Sequence, residues 1–172
     1  GGLLSNLSLP LVVTRQQVVY FRPAELSQFQ ADCFPIFIDV TRRKPFYGVP
    51  DFEGQGMKVG WHGLGLECET SLDTCNRTPD PGYIDFVHDF VRERMPNAAG
   101  NPIHAEVCLY TETPDEDFII GLHPDYSNLV IAGGFSGHGF KFSGLVGKIL
   151  SEIALTGQTS YDIGQFRPER VR

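Results

Sequence analysis

Two stretches of this 172-residue sequence combine residue types that can do chemistry. The first is Gly133-Gly134-Phe135-Ser136-Gly137-His138-Gly139, where four glycines in seven residues permit positive φ and close backbone approach to something planar or anionic. It follows a short apolar run and precedes a helical pattern, an order that aims unpaired N–H groups at a ligand oxygen. It is not a P-loop, because Phe140 follows Gly139 where the lysine belongs. A tight strand-to-helix turn with purely structural glycines would look the same. Lys141 weighs toward a ligand. The macrodipole disfavours a cation in the first turn of a helix, so a lysine there points to an anionic partner such as a carboxylate.

The second stretch is Met57-Lys58-Val59-Gly60-Trp61-His62. Period-two alternation places Lys58, Gly60 and His62 on one face and Met57, Val59 and Trp61 on the other. The lysine face is either a site or a solvated surface. Tyr47 adds a hydroxyl to it if the Tyr47 strand pairs alongside. The remaining histidines (His88, His104, His123, His138) have no metal-ligand spacing and read as surface or hydrogen-bonded residues, so no metal is expected. Gly134-Phe135-Ser136-Gly137 does not match the G-x-S-x-G nucleophile elbow. Cys33, Cys68, Cys75 and Cys108 are too far apart for a CxxC pair or a zinc ribbon, and we expect four reduced thiols.

Around these residues the elements follow from pattern. Residues 11–22, 34–40, 46–50 and 56–62 are β-branched or aromatic runs separated by turn residues such as Arg42-Arg43-Lys44-Pro45, which favours antiparallel neighbours. Residues 63–82 read as a loop. Asp80-Pro81 opens a helix whose apolar face is Tyr83, Phe86, Val87, Phe90 and Val91, ending at Pro96. Strands follow at 105–110, 118–122 and 128–132, with a turn at Thr113-Pro114-Asp115. After the glycine turn a second helix carries Leu145, Val146, Ile149, Leu150, Ile153 and Ala154 on one face and stops at Gly157.

The whole chain is globular in composition, with 41% hydrophobic and 20% charged residues. Fourteen Lys+Arg against 21 Asp+Glu give a formal net charge of −7, which argues against a nucleic-acid surface or a polybasic membrane patch. No apolar run approaches the ~20 residues of a membrane span. Gly1 to Asn6 lack the basic and apolar regions of a signal peptide.

The run Cys108-Leu109-Tyr110-Thr111-Glu112-Thr113-Pro114-Asp115-Glu116-Asp117-Phe118-Ile119-Ile120 resembles the flavin-attachment segment of the monomeric sarcosine oxidases, a group that includes N-methyltryptophan oxidase and the pipecolate oxidases. Residues 133–142 are similar to that family's flavin-contacting turn, and residues 57–62 match a third segment in the same order. The resemblance covers essentially the whole chain. It implies an FAD cofactor attached covalently by a thioether between Cys108 and the flavin 8α-methyl group. Lys58 matches a lysine near flavin N5, where a fixed positive charge assists reduction of oxygen. Tyr47 and Lys141 match residues that grip a substrate carboxylate, His62 a histidine beside the reacting amine, and Tyr110 an active-site tyrosine. Gly134, Phe135, Ser136, Gly137, His138, Gly139 and Phe140, with Lys141, match the flavin-contacting segment. The implied activity is oxidation of a secondary amine of a sarcosine-like amino acid to an imine, with oxygen reduced to hydrogen peroxide.

The implied architecture is α/β, or α+β in this portion: a mixed, largely antiparallel substrate-domain sheet plus the last strands and helix of an FAD-binding domain. The domain reading is 1–10 for the end of an FAD-binding segment, 11–104 for the substrate domain and 105–172 for the return to the FAD-binding domain. Family members are about twice this length and open with the fingerprint GxGxxG. Here Gly63-Leu64-Gly65 lacks the third glycine. The resemblance is therefore to a C-terminal half, and a truncation, a split enzyme or a processed fragment would each account for it. A second chain or an N-terminal half is expected to carry the fingerprint, alongside the amino-acid substrate and oxygen as small-molecule partners. The competing expectation is a catalytically incomplete substrate-domain fragment that acts only with a partner. Glu169-Arg170-Val171-Arg172 is no peroxisomal address, which favours the cytoplasm, with the peroxisome open if the tail is cut.

Overall fold

The computed structural model describes residues 9–41, 45–63, 66–67 and 75–171. The expected turn at 42–44, Leu64 and Gly65, Cys68 and most of the 1–10 segment lie outside the described residues. The chain divides into two compact units: Arg15–Cys108, and Gly1–Thr14 together with Leu109–Arg172.

Six strands form one sheet: β1 (Val12–Phe21), β2 (Phe37–Asp39), β3 (Phe46–Val49), β4 (Met57–Trp61), β5 (Leu66–Glu67) and β6 (Pro102–Glu112). The order is β2-β3-β4-β1-β5, and β6 also pairs with β1. The β1/β4, β2/β3 and β3/β4 ladders are antiparallel, as their close sequence spacing leads one to expect. The 63–82 segment, expected as loop throughout, contributes the two-residue strand β5. Two residues are too short for a periodicity signal.

Helix α1 (Pro81–Arg94) starts where Asp80 accepts a hydrogen bond from the Gly82 N–H at 2.9 Å, with Pro81 in the first position where no N–H is needed. It lays Val87, Phe90 and Val91 on one face of the sheet, against Val19, Phe21, Phe46, Met57 and Val59. Phe46 and Phe90 stack with centroids 3.9 Å apart. The buried stripe is narrower than expected, because Phe86 is 42% exposed. Tyr83 packs against this core as expected, and its hydroxyl accepts from the Trp61 N–H at 2.9 Å and donates to the Gln17 carbonyl at 2.7 Å. Arg15, buried, donates to the carbonyls of Asn76 and Thr78 and fixes the approach to α1. Cys75 is disulfide-bonded, against the expectation of four reduced thiols, whereas Cys33 and Cys108 are free. Sequence spacing does not report which thiols a fold brings within bonding distance.

The other unit is built on an antiparallel hairpin, β7 (Ile119–Leu122) with β8 (Val130–Gly133), in the register Ile119↔Gly133 to Leu122↔Val130. Helix α2 (Ser143–Thr156) packs Val146, Ile149 and Ile153 on Phe118 and Ile120. Ile119 and Ile131 bury the opposite face against Leu9, Leu11, Leu129 and Val171. Gly157 caps α2 at φ 78°, its N–H bonded to the Ile153 carbonyl at 2.8 Å. Leu145, expected on the buried face, is 44% exposed. Lys141 lies in a 3-10 turn (Phe140–Phe142) that precedes α2 and not in the helix's own first turn. Mixed α+β with largely antiparallel strands is the class expected.

Candidate active site

The α1-covered face of the large sheet leaves the opposite face to be read residue by residue. The β3/β4 ladder pairs Tyr47 with Gly60 and Val49 with Lys58, and the β1/β4 ladder pairs Tyr20 with Lys58. Paired residues share a face, so Tyr20, Tyr47, Lys58 and Gly60 stand together, away from α1. The Tyr47 strand does pair alongside. Its ring lies flat on Gly60, where an added Cβ would come within 2.8 Å of it, and this close approach is what the glycine permits. Lys58 is half-buried and, among the described residues, makes no ion pair. His62, one residue beyond β4, donates its N–H to the Pro45 carbonyl at 2.8 Å.

Strand β6 brings Cys108 to the same face. The Tyr20 hydroxyl donates to Glu106 at 3.3 Å, and Cys108, two residues further along β6, points the same way as Glu106. His104 completes this group, with its Nε2 3.0 Å from Glu106 and its ring 5.6 Å from that of Tyr20. Burial first, then the Glu106 carboxylate and Cys108, push the Tyr20 phenol above its ordinary value. Tyr20, His104 and Glu106 were not singled out from sequence. The period-two pattern running back from Cys108 was the signal that could have found His104 and Glu106.

In the other unit the glycine turn builds a groove of about 580 Å³, within the range usual for ligand sites. Its walls include Tyr110, Thr111, residues 133–137, Gly139, Phe140 and Ser143. Gly134 (φ 62°) and Gly137 (φ 80°) take left-handed conformations that favour glycine, and a Cβ on Gly137 would stand 2.2 Å from the Tyr110 ring. Phe140 is 94% exposed. Ser136 is buried and left-handed at φ 47° although it is not a glycine. Its N–H donates to the Thr111 carbonyl at 3.0 Å, and its hydroxyl donates to Gly134 O at 3.2 Å and accepts from the Thr113 N–H at 3.3 Å.

The groove does not gather every expected residue. His138 and Lys141 line a separate cavity of about 390 Å³ with Asp117, Phe118 and Phe142. The Lys141 ammonium sits over the Phe142 ring, 5.4 Å from its centroid. His138 Nε2 lies 3.2 Å from the Glu116 carbonyl. Elsewhere His123 is buried, its Nδ1 accepting from the Asp125 N–H at 3.0 Å. Among the described residues no group of three or more His, Cys, Asp or Glu could hold a metal.

These features fit a planar ring. The groove is open, and a Cβ on Gly133 would meet nothing within 4 Å. No side chain caps the N-terminus of α2, and the Ser143 N–H is bonded to the Phe140 carbonyl of the preceding 3-10 turn. Cys108 is a free, half-buried thiol.

Comparison with known proteins agrees. The family model described as FAD dependent oxidoreductase matches residues 1–153. Monomeric sarcosine oxidase of Bacillus sp. (strain B-0618) is 45% identical over 168 residues, covering 96% of this chain and 42% of that protein. Peroxisomal sarcosine oxidase of Homo sapiens is 38% identical over 170 residues, covering 96% of this chain and 43% of that one. Among solved structures, L-proline dehydrogenase from P. horikoshii superimposes with a TM-score of 0.76 at 24% identity, over 95% of this chain and 41% of that chain, and shares its fold. The chain thus spans less than half the length of the curated relatives it matches. No helix among the described residues is long and apolar enough to cross a membrane.

Proposed function

The chain belongs to the FAD-dependent oxidoreductase family, and we propose that it serves an enzyme that oxidises the secondary amine of a sarcosine-like amino acid. The observation that carries this reading is the free Cys108 on the same sheet face as Lys58, with Tyr47 beside it. A bound flavin would supply the two-electron chemistry between the C–N bond of the amine and oxygen, with hydrogen peroxide as the product.

This chain's residues do the rest. The Cys108 sulfur is the covalent attachment point. Lys58 holds a fixed positive charge on the open face, where it stabilises negative charge developing on oxygen. The Tyr47 hydroxyl helps grip the substrate carboxylate, and His62 stands beside the reacting amine. By resemblance, Lys141 is also assigned to the substrate carboxylate, and Tyr110 is an active-site tyrosine. The backbone of 134–139 would contact the flavin, and the positive end of the α2 dipole would favour negative charge on it. Sarcosine is the first substrate of this reading, with N-methyl amino acids and pipecolate next. The dinucleotide fingerprint is supplied by sequence outside these 172 residues, in the same polypeptide or in a second chain.

Oxygen uptake and peroxide release, measured on the flavin-loaded protein, test the activity. Sarcosine should give the highest kcat/KM of the three substrate types. Silence with all three, in protein that holds flavin, would refute amine oxidation. A second reading, in which this chain is a catalytically incomplete piece that needs a partner, is favoured by the absence of GxGxxG from its sequence. It is distinguished by restoring oxygen uptake only when the complementary half is added.

A further inference from the structure

We propose that Arg170 is a positioning residue for the glycine turn: it ties down the 113–118 turn, which in turn holds Ser136 and His138. This rests on the reading of the glycine turn as a flavin contact. Arg170 lies in the 3-10 segment Pro168–Val171, and nothing in the pattern of the sequence connects it to residues more than fifty positions earlier. Its guanidinium is nearly saturated. Nε and Nη2 donate to the two Asp115 carboxylate oxygens at 3.0 and 2.8 Å, and Nη1 and Nη2 donate to the Phe118 and Asp117 carbonyls at 2.9 Å each. A lysine could supply the charge but not this four-bond fork.

The turn being held is anchored at its end by Phe118, buried in the apolar core, while its middle is held by hydrogen bonds. Pro114, Asp115 and Glu116 are exposed, and Glu116 is left-handed at φ 62°. What fixes this exposed middle is polar. The Thr113 hydroxyl donates to the Asp117 carbonyl at 2.9 Å, the same oxygen that Arg170 bonds. Beside the packing of Phe118 on Phe135 and His138, polar struts reach the glycine turn: Thr113 N–H to the Ser136 hydroxyl at 3.3 Å, and the Glu116 carbonyl to the His138 ring at 3.2 Å. Ser136 is itself in a conformation that a non-glycine residue keeps only when its surroundings over-determine it. Arg170, Asp115, Asp117, Thr113 and Ser136 therefore form one continuous chain of bonds ending at the backbone of the groove.

Arg170 touches neither the groove nor any residue given a catalytic role, so it acts through the turn. The apolar packing of α2 on Phe118 and Ile120 does not involve it, and a variant should still fold. The experiment compares Arg170→Met, Arg170→Lys and Asp115→Asn with the native sequence in the flavin-loaded protein. It reads hydrogen exchange over 133–139, the flavin absorption band and reduction potential, and the thermal midpoint. Arg170→Met should speed exchange across 134–138 by about tenfold, the size of losing one charge-assisted hydrogen bond, and leave α1 unchanged. It should also shift the flavin band and potential. Arg170→Lys should recover the thermal midpoint without recovering the exchange rate. A lower midpoint in Arg170→Met with exchange over 133–139 and the flavin band unmoved would mean an ordinary structural ion pair and overturn the proposal. Faster exchange with an unmoved flavin band would instead overturn the glycine turn as a flavin contact, and the proposal with it.

Discussion

Lys58 stands on a half-buried strand position with Tyr20, Tyr47 and Gly60 on the same face, and among the described residues it makes no ion pair. A cation placed this way is available for charge that develops elsewhere. Replacing it tests that. Lys58→Met keeps the β4 ladder, which is made by backbone, and should slow reaction of the reduced enzyme with oxygen by roughly 10²–10³-fold. Reduction by the amine should change far less. Stopped-flow measurement of the two half-reactions separates them, and equal slowing of both would contradict the role given to Lys58. Asp115 offers a second test at this scale. Hydrogen bonding from Arg170 lowers its carboxyl from an ordinary 3.8 to about 2. A depressed carboxyl stabilises the fold fully above its unfolded value and loses that contribution as pH falls through its folded value. The midpoint difference between native protein and Asp115→Asn should thus be constant from neutral pH down to about 4 and close toward pH 2. A difference that persists unchanged to pH 2 would contradict the pairing.

At the scale of elements, the glycine turn is tightly constrained where it meets Tyr110 of β6. Gly137→Ala would drive a methyl group into the Tyr110 ring and force a left-handed alanine. We expect a loss of about 1–3 kcal/mol, with weaker flavin binding. Gly147→Ala in α2 meets nothing within 4 Å and should be neutral or stabilise by about 0.5–1 kcal/mol. Thermal melts of the two variants check the contrast, and equal effects would contradict it. Much of this scale was legible beforehand. Asp80-Pro81 and the apolar spacing marked α1, and period-two alternation put Lys58 and Gly60 on one face, which the β3/β4 register then joined to Tyr47. The 3-10 turn at Phe140–Phe142 was not legible, because its tighter winding leaves no distinct spacing over three residues. Nor was the Arg170 latch: it bridges residues whose proximity depends on the packed hairpin and not on any local period.

At the scale of the molecule, two compact units each carry part of the expected chemistry. The thiol and the free lysine belong to Arg15–Cys108, and the glycine groove belongs to the other. Composition and pattern were enough for the α+β class. They were not enough for Cys108, whose role rests on resemblance, since a half-buried free thiol has no intrinsic signature of attachment. The measurement that reaches the central claim most directly is therefore the intact mass of the purified, flavin-loaded protein, with a visible spectrum before and after acid denaturation. We expect flavin absorbance to stay with the denatured polypeptide, the mass to exceed the bare polypeptide by one flavin adenine dinucleotide, and both to vanish in Cys108→Ser. An active protein whose flavin washes away in acid and whose polypeptide has its bare mass would contradict attachment at Cys108. A colourless protein that takes up no flavin, even with the complementary half present, would contradict the flavin-dependent function itself.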